Sequence, residues 1–338
     1  SDLEPNATLS IENVANGLNF QAGTTSVNDT TYVTTITGNK DTSTARTPIG
    51  KAYRGAFNDT SAQALGGHVL SKAIEKAGVD SSEIDDVVIG NALTQGSSGT
   101  NIARQSIIRS NLSTSIPGMT IDRQCASGMM AIAAAAKEII VDGMNITVGG
   151  GLESISLVQN ENANQFRAFD PLIMKNMPSL YMTMIETAEI VSERYKITRE
   201  QQDEYALQSQ KRTHDAQING RFDNEIIPLE SIMKKIDKET KEISEIKMGL
   251  SKDEGNRADT TLEGLSSLKP VFKDGQRIKE GKFITAGNAS QLSDGASASV
   301  LMEIKEAEKR GIEPLGIYRG IAVSGVDPDE MGIGPVYA

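Results

Sequence analysis

The chain has 338 residues, with 34 basic against 45 acidic side chains, a net charge of −11 and a single cysteine. That balance excludes a nucleic-acid surface, which needs a clustered basic face rather than short runs such as Lys234-Lys235. One cysteine excludes an intrachain disulfide and fits a reducing compartment, and no apolar stretch reads as long enough to span a membrane, so a cytoplasmic protein of two or three packed units is expected.

Residues 1–45 are rich in Thr, Asn, Ser and Gly, with isolated apolar residues such as Leu18, Phe20, Tyr32 and Val33. Alternation over 31–36 allows one or two strands at most, and a polar extension is expected. From Arg46 the pattern becomes regular. A helix is expected over 60–77, with Leu65, Val69, Ala73 and Ile74 on its inner side and Gly78 as its stop. A strand over 87–90, a helix over 102–110, a strand at Thr120-Ile121, a helix over 126–141 and a strand at Ile146-Thr147-Val148 follow. That last strand is expected to end in Gly149-Gly150-Gly151. Strands alternating with helices at this spacing indicate a layered α/β unit.

Residues 155–280 are more polar. Helices are expected over 186–195 and 199–219, the second started by Thr198 with Gln201 and stopped by Gly220. The charged stretch 234–252 reads as a solvated excursion, and Asp253-Glu254-Gly255-Asn256 as a turn. Strand-and-loop character returns over 283–290, with a helix expected over 296–302.

Cys125 stands between the Thr120-Ile121 strand and the helix that follows. A helix start carries unpaired N–H groups and a positive dipole end, which favour thiolate over thiol. Gly128 would allow close backbone approach to the sulfur. A lone cysteine is more often a small buried hydrophobe, and a nucleophile also needs a base elsewhere. The two histidines, His68 and His214, both read as ordinary helix residues, and no metal-ligand spacing occurs.

Four segments together resemble one family, the thiolases, and within it the bacterial 3-ketoacyl-CoA type. Arg46-Thr47-Pro48-Ile49-Gly50-Lys51 resembles the family's opening motif. Asp122-Arg123-Gln124-Cys125-Ala126-Ser127-Gly128 resembles the segment with the acylated cysteine. Gly149-Gly150-Gly151-Leu152-Glu153-Ser154 resembles the close of the first sheet. Thr285-Ala286-Gly287-Asn288-Ala289-Ser290 with Ser293-Asp294-Gly295-Ala296 resembles a second signature, beside the coenzyme A pantetheine arm.

The resemblance implies a layered α/β/α domain over 46–154 and 276–304. It also implies an inserted helical loop domain over 155–275 that covers coenzyme A, and an incomplete second α/β domain over 305–338. It implies Cys125 as the acylated nucleophile, and Ser290, Ala286, Gly287 and Met184 as coenzyme A contacts. Met184 belongs to Tyr181-Met182-Thr183-Met184. No permanent cofactor is implied; acyl-CoA and coenzyme A are substrates. A homodimer or homotetramer is implied, with Gly99-Thr100-Asn101-Ile102-Ala103-Arg104 as a contact loop.

The family's Gly-His-Pro motif, Asn-Glu-Ala-Phe segment and second, Gly-flanked cysteine do not occur in this sequence. A thiolase truncated before those motifs is therefore expected. Three readings stay open: an acyltransferase completed by residues outside the chain, a non-catalytic acyl-CoA-binding or scaffold protein, and a fragment.

Overall fold

A computed structural model describes residues 34–37, 44–237 and 239–338. The expected polar extension over 1–45 lies largely outside the described residues, and its described part is strand rather than irregular. Strands β1 (Thr34–Thr37) and β2 (Thr44–Arg46) form there, followed by β3 (Gly50–Lys51), β4 (Asp86–Gly90), β5 (Gly118–Ile121), β6 (Ile146–Ser154), β7 (Leu229–Ile236), β8 (Ile243–Leu250), β9 (Ser293–Glu303) and β10 (Pro314–Ile317). The helices are α1 (Ala62–Ala77), α2 (Ile102–Arg109), α3 (Ser127–Asp142), α4 (Ile155–Val158), α5 (Pro171–Asn176), α6 (Met184–Arg194), α7 (Arg199–Ile218), α8 (Leu262–Ser266), α9 (Ile304–Arg310) and α10 (Gly334–Tyr337).

The chain forms two compact units. The first takes the described residues through Ala163 with Gly220–Gly255 and Leu292–Gly320; the second takes Asn164–Asn219, Asn256–Gln291 and Ile321–Ala338. Residues 220–255, expected in a loop domain, thus group with the sheet.

Among the described residues, all ten strands belong to the first unit. Its large sheet runs β10-β1-β9-β6-β4-β5, with β2 and β3 continuing along β9. β4 is parallel to β5 and β6, and β9 is antiparallel to β6 from Ile146–Met302 to Ser154–Asp294. Alternation along β4 divides its side chains between two layers. Val87 and Ile89 join the core formed with Leu65, Val69 and Leu70 of α1 and Ile102 and Ile107 of α2. Val88 joins Ala131, Ala135, Ala136 and Ile139 of α3 together with Leu301 of β9. Helices therefore cover both faces, and the expected α/β layering holds. Each buried Leu or Ile contributes about 1.5–3 kcal/mol.

α1 starts at Ala62, two residues after the expected Thr60, and stops where the sequence predicts. Ser61 caps it, its hydroxyl accepting from the Ala64 N–H, and Gly78 ends it at φ +65°.

The helix expected over 296–302 is instead the centre of strand β9. Asp294, Ala296, Ala298, Val300 and Met302 are buried at alternate positions, a period-2 pattern that small Ala and Ser residues disguise. Hydrogen bonds to β6 on one side and to β1, β2 and β3 on the other override the helix preference of alanine.

The three glycines expected to end a strand lie inside β6. At Gly149 a Cβ would come within 2.6 Å of the Ile132 Cα, so glycine is what lets α3 sit on the sheet there.

The stretch read as a solvated excursion is the β7–β8 hairpin, in register from Leu229–Leu250 to Ile236–Ile243. Asp253 and Glu254 follow it, and they are anchors rather than a simple turn. Asp253 receives both Nη atoms of Arg46 at 2.7 and 3.0 Å and the Ile49 N–H at 2.8 Å. Glu254 accepts from the Lys51 N–H at 2.8 Å. The Arg46–Lys51 motif is thereby held by charge-assisted bonds from residues some 200 positions away.

One expectation about membranes is corrected. The segment 124–142 is long and apolar enough by composition alone, because alanine dominates α3. Its Ala131, Ala135 and Ala136 pack on the sheet. On the same helix, burial and then the nearby Asp86 and Asp142 push the Glu138 carboxyl up to about 7, and its Oε2 is buried without a partner among the described residues.

The raised pKa means that between pH 4.5 and 7 the folded chain holds a proton that the unfolded chain has lost. Stability then falls as pH rises through that window. Glu138→Gln is expected to flatten this dependence and to gain about 1–2 kcal/mol at pH 8, allowing for solvent on the exposed part of the side chain. Urea denaturation at pH 5 and pH 8 measures it; an unchanged pH dependence would contradict the assignment.

Candidate active site

In the first unit, β5 ends at Ile121 and α3 begins at Ser127, with Ala126 as an N-cap that offers no side-chain cap. The five residues between them turn sharply. Gln124 adopts φ +47°, the left-handed region that side chains other than glycine rarely enter. Three groups hold it there. The Asp122 carboxylate accepts from the Gln124 N–H at 2.6 Å. The Ser127 hydroxyl donates to the Gln124 carbonyl at 2.6 Å and accepts from the Arg123 N–H at 2.8 Å. Backbone bonds from Ala126 to Arg123 (3.1 Å) and from Ser127 to Gln124 (3.0 Å) complete the turn.

Cys125 sits at the apex and is exposed, so it is not the buried hydrophobe that a lone cysteine usually is. The exposed thiol thus stands on a pinned turn at the head of a 16-residue helix.

Beneath the turn, β4 and β6 end in a polar knot. The Asn91 N–H donates to the Ile121 carbonyl at 3.0 Å, and its side-chain amide donates to Glu153 at 2.8 Å. Glu153 also accepts from the Ala92 N–H at 3.0 Å. Burial raises the Glu153 pKa, these bonds pull it back, and Asp122 adds to the rise. Glu153 of the glycine-rich motif is thus a structural brace for the Cys125 turn.

Gly90 brings the helix and strand together. A Cβ there would come within 2.2 Å of the Ser127 carbonyl. At Gly128 a Cβ would meet Gly151 at an ordinary 3.7 Å.

A cleft of about 520 Å³ borders the turn, lined by Thr94, Ser98, Asn101, Gly118, Met119, Thr120 and Asp122. Asn101 belongs to the expected contact loop, and its side chain ties that loop to β5 through the Gly118 carbonyl (2.7 Å) and the Thr120 hydroxyl (3.1 Å).

The expected coenzyme A contacts all lie in the second unit. Ala286 and Ser290 are exposed and Gly287 half-buried on one loop, while Met184 is exposed at the first position of α6. Buried Thr285 and half-buried Asn288 shape that loop. The Thr285 N–H donates to the Asn288 side chain at 2.8 Å, and the Thr285 hydroxyl accepts from the Gly287 and Asn288 N–H groups at 3.2 and 3.3 Å. Asn288 also donates to Asp203 of α7 at 2.9 Å, and Asp203 is paired with Arg199 at 2.8 Å.

Two buried carboxylates of α6 hold the backbone that leads into the loop. Glu186 accepts from the N–H groups of Arg277 and Ile278, and Glu189 from those of Lys282, Phe283 and Ile284. Met184 and the 285–290 loop therefore share the α6 framework. Burial would raise the Glu186 pKa, but the backbone donors hold it below the usual range.

The histidines stand apart from the Cys125 turn in sequence and element. His68 is on α1, its pKa lowered by burial, with the backbone of Ile227 and Pro228 beside it; His214 is on α7.

Cys125 and the 285–290 loop stand out in the sequence, whereas Gly90, Asn91 and Asp203 do not, because each acts on residues distant in the chain. The spacing Asp122…Ser127 was a readable signal: two short polar side chains flanking a turn commonly bond its backbone.

Three comparisons bear on this geometry. Residues 42–305 match the family description "Thiolase, N-terminal domain". The chain is 37% identical over 295 residues to the "3-ketoacyl-CoA thiolase" of Bacillus subtilis (strain 168), covering 87% of this chain and 73% of that one. It is 38% identical over 297 residues to "3-ketoacyl-CoA thiolase B, peroxisomal" of Mus musculus, covering 87% of this chain and 66% of the relative. The crystal structure of human mitochondrial 3-ketoacyl-CoA thiolase in complex with CoA superposes with a TM-score of 0.73 at 33% identity, covering 91% of this chain and 74% of the other.

Proposed function

This chain belongs to the thiolase family, an acyltransferase family, and from that premise we propose that it accepts an acyl group from a 3-ketoacyl-CoA on Cys125. The observation that carries the reading is the exposed thiol on a hydrogen-bonded, left-handed turn at the head of α3.

The Cys125 thiolate attacks the keto carbonyl carbon. The bond between that carbon and the α-carbon breaks, and the released acetyl-CoA enolate takes a proton. The acyl group remains as a thioester on Cys125. A coenzyme A thiolate then attacks the thioester carbonyl, and Cys125 departs as thiolate. A thiolate suits both halves because it is a good nucleophile and a good leaving group. The reverse sequence is a Claisen condensation, and β-oxidation of fatty acids is the process it would serve. Ser290, Ala286, Gly287 and Met184 are assigned to the pantetheine arm, on the family resemblance of their motifs. Coenzyme A enters as substrate, not as a resident cofactor.

Assembly into a homodimer is part of the same proposal. Among the described residues, strand β5 is an edge of the sheet with Met119 exposed, beside the cleft that Asn101 lines. An unpaired edge is a template for pairing.

A second reading is acyl-CoA binding, or acyl acceptance without turnover: the two histidines lie on α1 and α7, far in sequence from the Cys125 turn. Intact mass and peptide mapping after incubation with a short 3-ketoacyl-CoA separates the cases. An acyl mass on Cys125 with acyl-CoA release on adding coenzyme A is expected. An adduct without release supports the second reading, and no adduct from folded protein would sink acyl transfer.

A further inference from the structure

The geometry points to Ser127 as a positioning residue for Cys125, an inference that rests on the acyl-transfer reading above. Ser127 is 3% exposed and touches both sides of the nucleophile. Its single hydroxyl proton goes to the Gln124 carbonyl at 2.6 Å, and its oxygen takes the Arg123 N–H at 2.8 Å. Asp122 Oδ1, at 3.5 Å from that oxygen, is a more distant alternative acceptor. The Gln124 carbonyl thus has two donors, the Ser127 hydroxyl and the Ser127 N–H at 3.0 Å.

This clamp closes on a residue whose backbone resists its conformation. A left-handed residue other than glycine is strained and persists only where its surroundings enforce it. The enforcing bonds come from Asp122 on one side and Ser127 on the other, and Cys125 is the residue between Gln124 and the helix. Without the hydroxyl, the Arg123 N–H loses its acceptor and the turn keeps only its backbone bonds and Asp122. The thiol then samples several positions instead of one. Misplacement of a reacting atom by about 1 Å can lower a rate by roughly a hundredfold.

Single-turnover acylation of Cys125 by a short 3-ketoacyl-CoA, read by intact mass, tests this in the full chain. Ser127→Ala is expected to lower the acylation rate at saturating substrate at least tenfold, with the half-saturating concentration within twofold of the starting protein. A general loss of structure would move both. Ser127→Thr and Ser127→Val, nearly equal in shape and different in the hydroxyl, repeat the comparison if the alanine variant fails to fold. The threonine variant is expected to recover most of the rate and the valine variant not. Acylation at the original rate without the hydroxyl overturns the positioning role and leaves the acyl-transfer reading standing. No acylation of the unmodified chain overturns that reading itself, and the inference with it.

Discussion

Cys125→Ser is expected to take up no acyl mass from a 3-ketoacyl-CoA, with the acylation rate reduced by at least about a thousandfold. An alcohol in the same place is a far weaker nucleophile at neutral pH and a worse leaving group from the ester it would form. The change is small and the side chain is exposed, so stability should stay within about 0.5 kcal/mol. That separation of activity from stability is the diagnostic point. Mass spectrometry and a thermal melt read the two sides, and an acyl adduct persisting in the serine variant would place the nucleophile elsewhere.

Gly90→Ala is the second large effect, and here stability and reactivity fall together. The added methyl would stand 2.2 Å from the Ser127 carbonyl and 2.5 Å from the Gly128 nitrogen. Both are backbone atoms of the first turn of α3, so no side-chain rotation relieves the contact. The helix start must move off β4, carrying Ser127 and the clamp on Gln124 with it. A destabilisation of about 3 kcal/mol is expected from such overpacking, with acylation of Cys125 reduced at least tenfold. Gly128→Ala is the control. Its methyl meets Gly151 at 3.7 Å, and alanine gains up to about 1 kcal/mol over glycine inside a helix. Urea denaturation of the two variants compares them directly; equal stabilities would remove Gly90 from the account of the site.

Much of the site was legible in the sequence. The strand-to-helix junction at Cys125 follows from an apolar strand end meeting a run of small apolar residues at helical spacing. The 285–290 loop was picked out by motif, but the roles within it were not. Ala286 and Ser290 are exposed, while the loop's shape depends on Thr285 and Asn288 and on Asp203, more than 80 residues earlier. Glu186 and Glu189 were read only as part of a helix. Their partners are backbone N–H groups over 90 positions away, which no local pattern predicts.

The amino-acid sequence by itself determined the local periods: helices α1, α2, α3, α6 and α7, strands β4, β5 and β6, and the strand-to-helix junction that carries the one cysteine. These depend on interactions within a few residues, where side-chain spacing and backbone preference decide. Only the tertiary structure decided β9, where Ala296 and Ala298 favour a helix in isolation and neighbouring strands impose an extended chain. It also decided the β7–β8 hairpin, the service of Asp253 and Glu254 to Arg46 and Lys51, and the steric demand at Gly90. In each case the deciding partner is far along the chain. Its contribution exists only after the sheet has formed.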